Sequence, residues 1–262
     1  MSIEPSSLED AVASTVGDGD CVWIGNFGTQ LFAVAEELIR QRRRDLHVVI
    51  GSGGILLDRL LAEGVAAEVT FTHCWSPVGP RPTRAFRAAW EEGSEVRFHE
   101  LPLGALVAAL EAGAAGVPFA PVALDPDTGY PEWTPEMIGT AESPFGEALV
   151  VRALRPDVAF VHGRCADRDG NVQIGAPAGE APPAVAAARR TVAVVEQISD
   201  LPSASSHFPA DSAGYRERTG VVLPSVLIDL VVEHPGAAAP DGVPGLYERD
   251  VAAYEAYAGA SA

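Results

Sequence analysis

The 262-residue chain is 47% hydrophobic and has a formal net charge of −18, so it is long enough for one large α/β domain or two small ones. A strongly negative chain is repelled by phosphate backbones, which argues against nucleic acids and anionic membranes as partners. The chain contains no lysine, which excludes Schiff-base chemistry on a lysine, a pyridoxal phosphate anchor and a P-loop lysine.

The cysteines and the hydropathy pattern indicate a cytoplasmic protein. Cys21, Cys74 and Cys165 are odd in number and widely spaced, which is typical of reduced thiols and not of a disulfide framework or a metal site. No apolar run reaches the roughly 18–20 residues of a transmembrane helix. The first residues lack the pattern of a secretion signal. We therefore expect no bound metal and no membrane association.

The first half of the chain alternates apolar strands, turns rich in glycine and amphipathic helices. Ser6 and Glu9 form a capping-box pattern that predicts a helix ending near Val16. The predicted strands cover residues 21–25, 46–50, 68–73 and 96–99, and the predicted helices cover residues 29–42, 56–61, 83–92 and 103–115. This alternation predicts a parallel sheet with right-handed crossovers.

The second half contains more turns. The predicted elements are a strand at 118–122, a long ordered loop over 125–139, apolar strands at 147–154 and 157–165, a tight Asp-Gly turn over 167–171 and a third strand after it. A helix at 182–190, a strand at 191–198, a second long loop over 201–220, a strand at 226–232 and a helical tail follow. No linker divides the chain. We predict a single unit, residues 1–262, with an open, mainly parallel α/β sheet, helices on both faces and an antiparallel hairpin after the central strands.

The ends of the first three strands are the predicted ligand site, because ligands of open parallel sheets lie beyond the carboxyl ends of the strands. The residues concerned are Gly25, Asn26, Phe27, Gly28, Ser52, Gly53, Gly54, Cys74, Trp75 and Ser76. The first turn lacks the GxGxxG spacing of dinucleotide-binding proteins, and Ser52 lacks the GxSxG surroundings of a serine hydrolase. Backbone amides at the start of the following helix suit an anion or an oxyanion.

Glutamates at strand or loop ends are the candidate acids, namely Glu100, Glu142, Glu147 and Glu196. A glutamate beside an oxyanion turn is the arrangement needed for acyl transfer through a carboxylate. For each one the alternative is a solvated surface role, since most carboxylates face water. Cys74 could be a reactive thiol, but a buried structural cysteine is the favoured interpretation, because nothing local in the sequence lowers its pKa.

The central block, residues 142–175, carries a more specific pattern. It contains the runs Ser143-Pro144-Phe145-Gly146-Glu147, Ala153-Leu154-Arg155-Pro156-Asp157-Val158-Ala159, then His162, Asp167 and Gly170-Asn171-Val172. This block resembles the A (alpha) chain of family I CoA-transferases of the glutaconate CoA-transferase type. The resemblance extends over nearly the whole chain, with matches to the turn Gly25-Asn26-Phe27-Gly28, to Gly53, Gly54 and Cys74, to Gly116-Val117-Pro118-Phe119, to Glu196 and to residues 228–247.

The resemblance implies a CoA-transferase/NagB-like fold and only half of an enzyme. In this family a glutamate of a B-type partner attacks acyl-CoA, and an anhydride and then a glutamyl-CoA thioester form before CoA passes to a carboxylate. Coenzyme A is then a substrate, no cofactor is bound covalently, and the A-type chain shapes the acyl pocket. For Glu147 and His162 a structural role, in which they hold the hairpin and the sheet edge by hydrogen bonds, is favoured over a chemical one.

A related branch uses the same scaffold for hydrolytic ring opening of steroid-derived CoA thioesters. Its acid lies in an E-x-x-E-G run of the A-type chain, to which residues 100–104 correspond here. Glu100 is retained, so it is the catalytic candidate on this chain, but Leu103 replaces the second acid. Asn26 stands where a second glycine is common. The alternatives are therefore a CoA-thioester hydrolase, a C–C-cleaving enzyme, or a scaffold that has lost catalysis.

Overall fold

The computed structural model describes residues 5–25, 29–75, 83–175, 177–199 and 222–259. The strands are β1 (Cys21–Ile24), β2 (Leu46–Ser52), β3 (Ala66–His73), β4 (Arg97–Glu100), β5 (Phe119–Pro121), β6 (Ile138–Ser143), β7 (Gly146–Arg152), β8 (Val158–Gly163), β9 (Cys165–Ala166), β10 (Val172–Gln173), β11 (Arg190–Val195), β12 (Val222–Leu223) and β13 (Leu230–Glu233). The helices are α1 (Leu8–Thr15), α2 (Phe32–Arg40), α3 (Gly54–Ala62), α4 (Arg84–Glu91), α5 (Leu103–Ala115), α6 (Tyr130–Trp133), α7 (Ala181–Ala187) and α8 (Val251–Gly259), with 3₁₀ turns at Pro126–Thr128 and Ser225–Leu227.

Seven strands form one parallel sheet in the order β13-β11-β8-β1-β2-β3-β4. Every neighbouring pair in this sheet is parallel. All six residues of β8 are buried, as expected for a central strand that is covered on both faces. The predicted open parallel sheet is confirmed.

Helices cover both faces of this sheet. Side chains alternate along each strand, so successive residues of one strand pack into different cores. Val22 and Ile24 belong to the core on one side, with α1, α2, α3 and α8. Trp23 and Val49 belong to the core on the other side, with α5 and α7. No helix in the described ranges is long and apolar enough to cross a lipid bilayer.

Two small antiparallel sheets, β5-β7-β6 and β12-β10-β9, accompany the main sheet. The predicted Asp-Gly hairpin is confirmed as the turn between β9 and β10. Oδ1 of Asp167 accepts hydrogen bonds from the N–H groups of Asp169 and Asn171, both at 2.9 Å. Gly170 has a φ of 87°, which a glycine adopts without steric cost.

The strand predicted at 147–154 does not join the buried main sheet. As β7, it pairs antiparallel with β5 and β6, because the turn after Ser143 folds the chain back at Gly146. The segment predicted as a loop over 125–139 contains regular secondary structure, namely a 3₁₀ turn, α6 and the start of β6.

The cap of α1 differs from the prediction by one residue. Ser7, not Ser6, is the N-cap, and its Oγ accepts a hydrogen bond from the N–H of Asp10 at 3.0 Å. The capping pattern was therefore wrong in register, because two adjacent serines precede the helix. The loop predicted over 201–220 lies outside the described residues.

Candidate active site

The order of the strands reverses between β1 and β8. From β1, the strands β2, β3 and β4 lie to one side, and β8, β11 and β13 lie to the other. Ligands of open α/β sheets bind at such a switch point, beyond the carboxyl ends of the strands. Gly25 directly follows β1 there with a φ of 69°, and a Cβ at this position would lie 2.7 Å from the carbonyl oxygen of Thr29. The turn therefore requires glycine.

The ends of β2 and β3 meet directly at this edge. The N–H of Gly53 donates to the carbonyl of His73 at 2.9 Å, and Oγ of Ser52 lies 3.0 Å from Nε2 of His73. Sγ of Cys74 donates to the carbonyl of Gly54 at 3.5 Å. The predicted residues Ser52, Gly53, Gly54 and Cys74 are thus brought together, and we call them, with His73, the Ser52 group.

Gln30 connects the end of β1 to the Ser52 group. Its Nε2 donates to the carbonyl of Ser52 and, at 3.1 Å, to the carbonyl of Gly53. The side chain is 9% exposed, so it is a buried polar link between two turns. The sequence pattern did not identify it. The available signal was a lone amide side chain directly before the apolar start of α2.

Glu180 is a second residue that the sequence pattern did not reveal. It precedes α7 and is fully buried. A Cβ placed on Gly51 would lie 2.5 Å from Oε1 of Glu180. The missing side chain of Gly51 therefore makes room for a carboxylate beside the end of β2.

A buried network holds the C-terminal segment against the ends of β8 and β11. His162 donates from Nε2 to Oε1 of Glu196 at 2.9 Å, since a carboxylate can only accept. The hydroxyl of Tyr247 donates to the same oxygen at 2.7 Å, and the N–H of Gly236 donates to Oε2 at 2.7 Å. Burial raises the pKa of Glu196, but these hydrogen bonds outweigh it and lower the pKa below its ordinary value. Glu196 is therefore held as an ionised structural acceptor.

Cys74 of the Ser52 group and the next predicted residue, Trp75, differ in character. Burial raises the pKa of the Cys74 thiol to about 12, so this thiol is protonated near pH 7 and is a poor nucleophile. Trp75 is 59% exposed, so its indole faces solvent beside the carboxyl edge. Asn26, Phe27, Gly28 and Ser76 lie outside the described residues.

Glu100 ends β4, and its surroundings differ from those of the Ser52 group. It lines a cleft of about 480 Å³ together with Trp90, Phe98 and Trp133. Within the described chain, no hydrogen bond connects it to the Ser52 group. The other two candidate acids, Glu142 and Glu147, face each other in the β6–β7 hairpin, where both are exposed.

The carboxyl edge brings several polar side chains together. Ser52 and His73 supply polar atoms, and the buried carboxylate of Glu180 lies beside the end of β2. Among the described residues, no group of three or more His, Cys, Asp and Glu side chains could hold a metal ion. The fold and the site define an open α/β protein with polar side chains gathered at the carboxyl edge of its sheet.

The chain belongs to the coenzyme A transferase family, whose model matches residues 6–234. It is 34% identical to the A chain of the 3-oxoadipate CoA-transferase of Pseudomonas knackmussii, over 96% of this chain and 86% of that protein. It is 28% identical to the A chain of the glutaconate CoA-transferase of Acidaminococcus fermentans, over 93% of this chain and 79% of the relative. Its structure is similar to that of a variant of the decarboxylase AibA/AibB, with 30% identity, a TM-score of 0.82 and coverage of 99% of this chain and 94% of the other.

Proposed function

We propose that this chain is the A-type component of a heteromeric CoA-transferase, which moves CoA from an acyl-CoA thioester to a carboxylate. The observation that carries the proposal is the 34% identity to the A chain of a 3-oxoadipate CoA-transferase across 96% of the sequence. In this proposal residues 1–262 act as one cytoplasmic domain of the complex. Coenzyme A enters and leaves as a substrate, and no cofactor is bound covalently.

The attacking group comes from a B-type partner subunit. The candidates on this chain are poor nucleophiles: the thiol of Cys74 is protonated near pH 7, Glu196 already accepts three hydrogen bonds, and there is no lysine. A partner glutamate that attacks the thioester carbonyl forms an anhydride and expels the CoA thiolate. The thiolate then attacks the glutamyl carbonyl, which releases the first carboxylate and leaves CoA on the partner as a thioester. An acceptor carboxylate reverses these two steps.

The part of this chain is to bind and orient the thioester. In this proposal the thioester groove lies along the carboxyl edge. Gly25, Gly53 and Gly54 are buried in the segments that follow β1 and β2, and Asn26, Phe27 and Gly28 follow Gly25 in sequence. The Ser52 hydroxyl and the His73 imidazole, 3.0 Å apart, are polar groups that could orient the acyl carbonyl. Trp75, which is exposed after the Ser52 group, would contact the acyl chain, and Ser76 follows it in sequence.

A second candidate function is thioester hydrolysis or C–C bond cleavage with Glu100 as the acid or base. The similarity to the decarboxylase AibA/AibB favours this candidate, since that protein is not named a transferase. The aromatic cleft around Glu100 would then hold the acyl group. Leu103 at the place of a second acid favours the transferase instead.

The test is to express the chain alone and with the B-type partner from an adjacent reading frame, and to supply a panel of acyl-CoA thioesters with carboxylate acceptors. New acyl-CoA that forms only with both proteins supports the proposal. Free CoA without transfer, abolished by Glu100→Gln but not by the matched exposed variant Glu147→Gln, supports the second candidate. No turnover with both proteins across the panel contradicts both and leaves a scaffold role.

A further inference from the structure

A larger cavity, of about 860 Å³, lies at the opposite end of the parallel strands. Among the residues that line it, Cys21 begins β1, His47 is the second residue of β2 and Arg97 begins β4. Because a strand rises about 3.3 Å per residue, His47 lies roughly 16 Å along β2 from Ser52. The cavity is therefore separate from the groove at the carboxyl edge.

The cavity lies between two walls of different origin. The main sheet contributes Cys21, His47, Glu68, Arg97 and His99, and the second wall consists of Pro118, Glu136, Met137, Arg152, Ala153, Leu154 and Arg155. We call this space the amino-end cavity. Met137 is 4% exposed and Leu154 is 6% exposed, so the second wall combines a packed apolar surface with two arginines.

The acid on the sheet wall is already neutralised within the protein. Oε1 of Glu68 accepts a hydrogen bond from Nε2 of His99 at 3.0 Å, and Oε2 is paired with Arg97. Burial raises the pKa of Glu68, but the hydrogen bond from Arg97, the neighbouring His47 and the hydrogen bond from His99 outweigh it and lower the pKa overall. Glu68 is thus an ionised acceptor with its own cation.

The second wall has an excess of positive charge. In the described part of the chain, Arg152 forms no ion pair, and Arg155 donates only a 3.4 Å hydrogen bond to the carbonyl of Val117. The exposed carboxylate of Glu136 lies 3.6 Å from Nδ1 of His99, on the sheet wall. Among the described residues, these two guanidinium groups therefore line the cavity without an acidic partner, in a chain whose net charge is −18.

The charge of Arg152, on the second wall, acts on His47, on the sheet wall. The pKa of His47 is lowered to about 4. Burial is the largest cause, Glu68 opposes the shift, and the charges of His99, Arg97 and Arg152 add to it. His47 is therefore neutral near pH 7, and it adds a polar imidazole without a second positive charge.

We propose that the amino-end cavity binds a small organic anion, with its carboxylate or phosphate group on Arg152 and Arg155 and a short apolar body against Met137 and Leu154. A guanidinium group offers a planar fork of N–H donors that matches both oxyanions. The apolar wall excludes water from the body of the ligand. This site is distinct from the proposed thioester groove, so it would serve an effector or a second substrate-derived acid.

The test uses the full chain, in the assembly in which it purifies and without CoA. Hexanoate, inorganic phosphate and hexylamine are titrated by isothermal calorimetry. We expect saturable binding of hexanoate or phosphate, no binding of hexylamine, and an increase of about tenfold or more in Kd for Arg152→Gln, as expected for loss of a charged hydrogen bond. Stronger binding of hexanoate than of phosphate assigns the ligand to the carboxylates, and the reverse order assigns it to the phosphates.

A spectroscopic measurement separates this cavity from the groove. Titration of the His47 imidazole by NMR should show a higher pKa in the presence of hexanoate and in Arg152→Gln, because each removes the effect of a nearby positive charge. The matched control is Arg87→Gln, an exposed arginine of α4 that pairs with Glu91 at 3.5 Å, which should leave Kd unchanged. Equal affinity of Arg152→Gln and the unaltered chain, or no binding of either anion, would overturn the proposal.

Discussion

The network around Glu196 provides a prediction that the structure makes quantitative. Glu196→Gln keeps the size of the side chain but replaces one carboxylate oxygen by an NH₂ group. Both oxygens accept hydrogen bonds at present, Oε1 from His162 and Tyr247 and Oε2 from Gly236. In either orientation the new NH₂ group faces an N–H or O–H donor.

The expected loss follows from the number of donors that remain unsatisfied. A hydrogen bond to a charged group contributes roughly 1.5–3 kcal/mol, and a buried donor left without an acceptor costs about 1–3 kcal/mol. Glu196→Gln weakens up to three hydrogen bonds, and its NH₂ group faces another hydrogen-bond donor. We therefore expect a loss of about 2–4 kcal/mol in the free energy of unfolding. Tyr247→Phe removes one donor and leaves the carboxylate with two, so its loss should be about 1–2 kcal/mol.

Urea unfolding of the variants, followed by circular dichroism, measures these losses. The control is Glu147→Gln, the same substitution at an exposed position opposite Glu142, which should change stability by less than about 0.5 kcal/mol. The folded pKa of Glu196 is depressed, so its stabilisation is fully present above its unfolded value of about 4.5 and is lost as the pH falls through the lower folded pKa. The difference between the unaltered chain and Glu196→Gln should therefore shrink below pH 4.5. A difference under about 0.5 kcal/mol at pH 7, or one that grows in acid, would refute this account.

Three further predictions concern the carboxyl edge. Gly51→Ala should lower the free energy of unfolding by about 1–3 kcal/mol, because its Cβ would lie 2.5 Å from Oε1 of Glu180. The control Gly104→Ala, in an open position of α5, should stabilise the chain by up to about 1 kcal/mol in the same urea titration. Equal effects of the two substitutions would contradict a clash with Glu180. Alkylation of Cys74 by iodoacetamide at pH 8, followed by mass spectrometry, should be slower by roughly a thousandfold in the folded chain than in urea, because its thiol pKa of about 12 removes the thiolate; similar rates would show that the thiol is not buried. Trp75→Ala should change the preference among acyl-CoA thioesters while the Tm stays within about 2 °C, since the indole is 59% exposed; an unchanged preference with a lower Tm would assign Trp75 to the core.

The sequence predicted the main sheet well, because its strands are short apolar runs with a glycine turn or a helix after each. The turn at Asp167 was equally clear, since Asp-Gly specifies its geometry locally. The pairing partners of β7 were not clear from the sequence. Its apolar run identifies a strand, but pairing with β5 and β6 depends on contacts between distant segments that no local pattern encodes.

The carboxyl edge was located from topology alone, and its chemistry was only partly visible. The rule for parallel sheets pointed to Ser52, Gly53 and Cys74, and the structure places them in contact. Gln30 and Glu180 were missed because their burial results from packing, and polar residues at a helix start are usually solvated. The amino-end cavity could not be predicted, since Arg152 and His47 are 105 residues apart and are joined only by the packing of two sheets.

The central claim is that this chain positions a thioester and that its partner forms the covalent intermediate. Intact-mass spectrometry of the co-purified proteins, after addition of acyl-CoA without an acceptor carboxylate, tests it most directly. The account predicts that the B-type partner gains the mass of CoA while the mass of this chain is unchanged. A CoA adduct on this chain would contradict it.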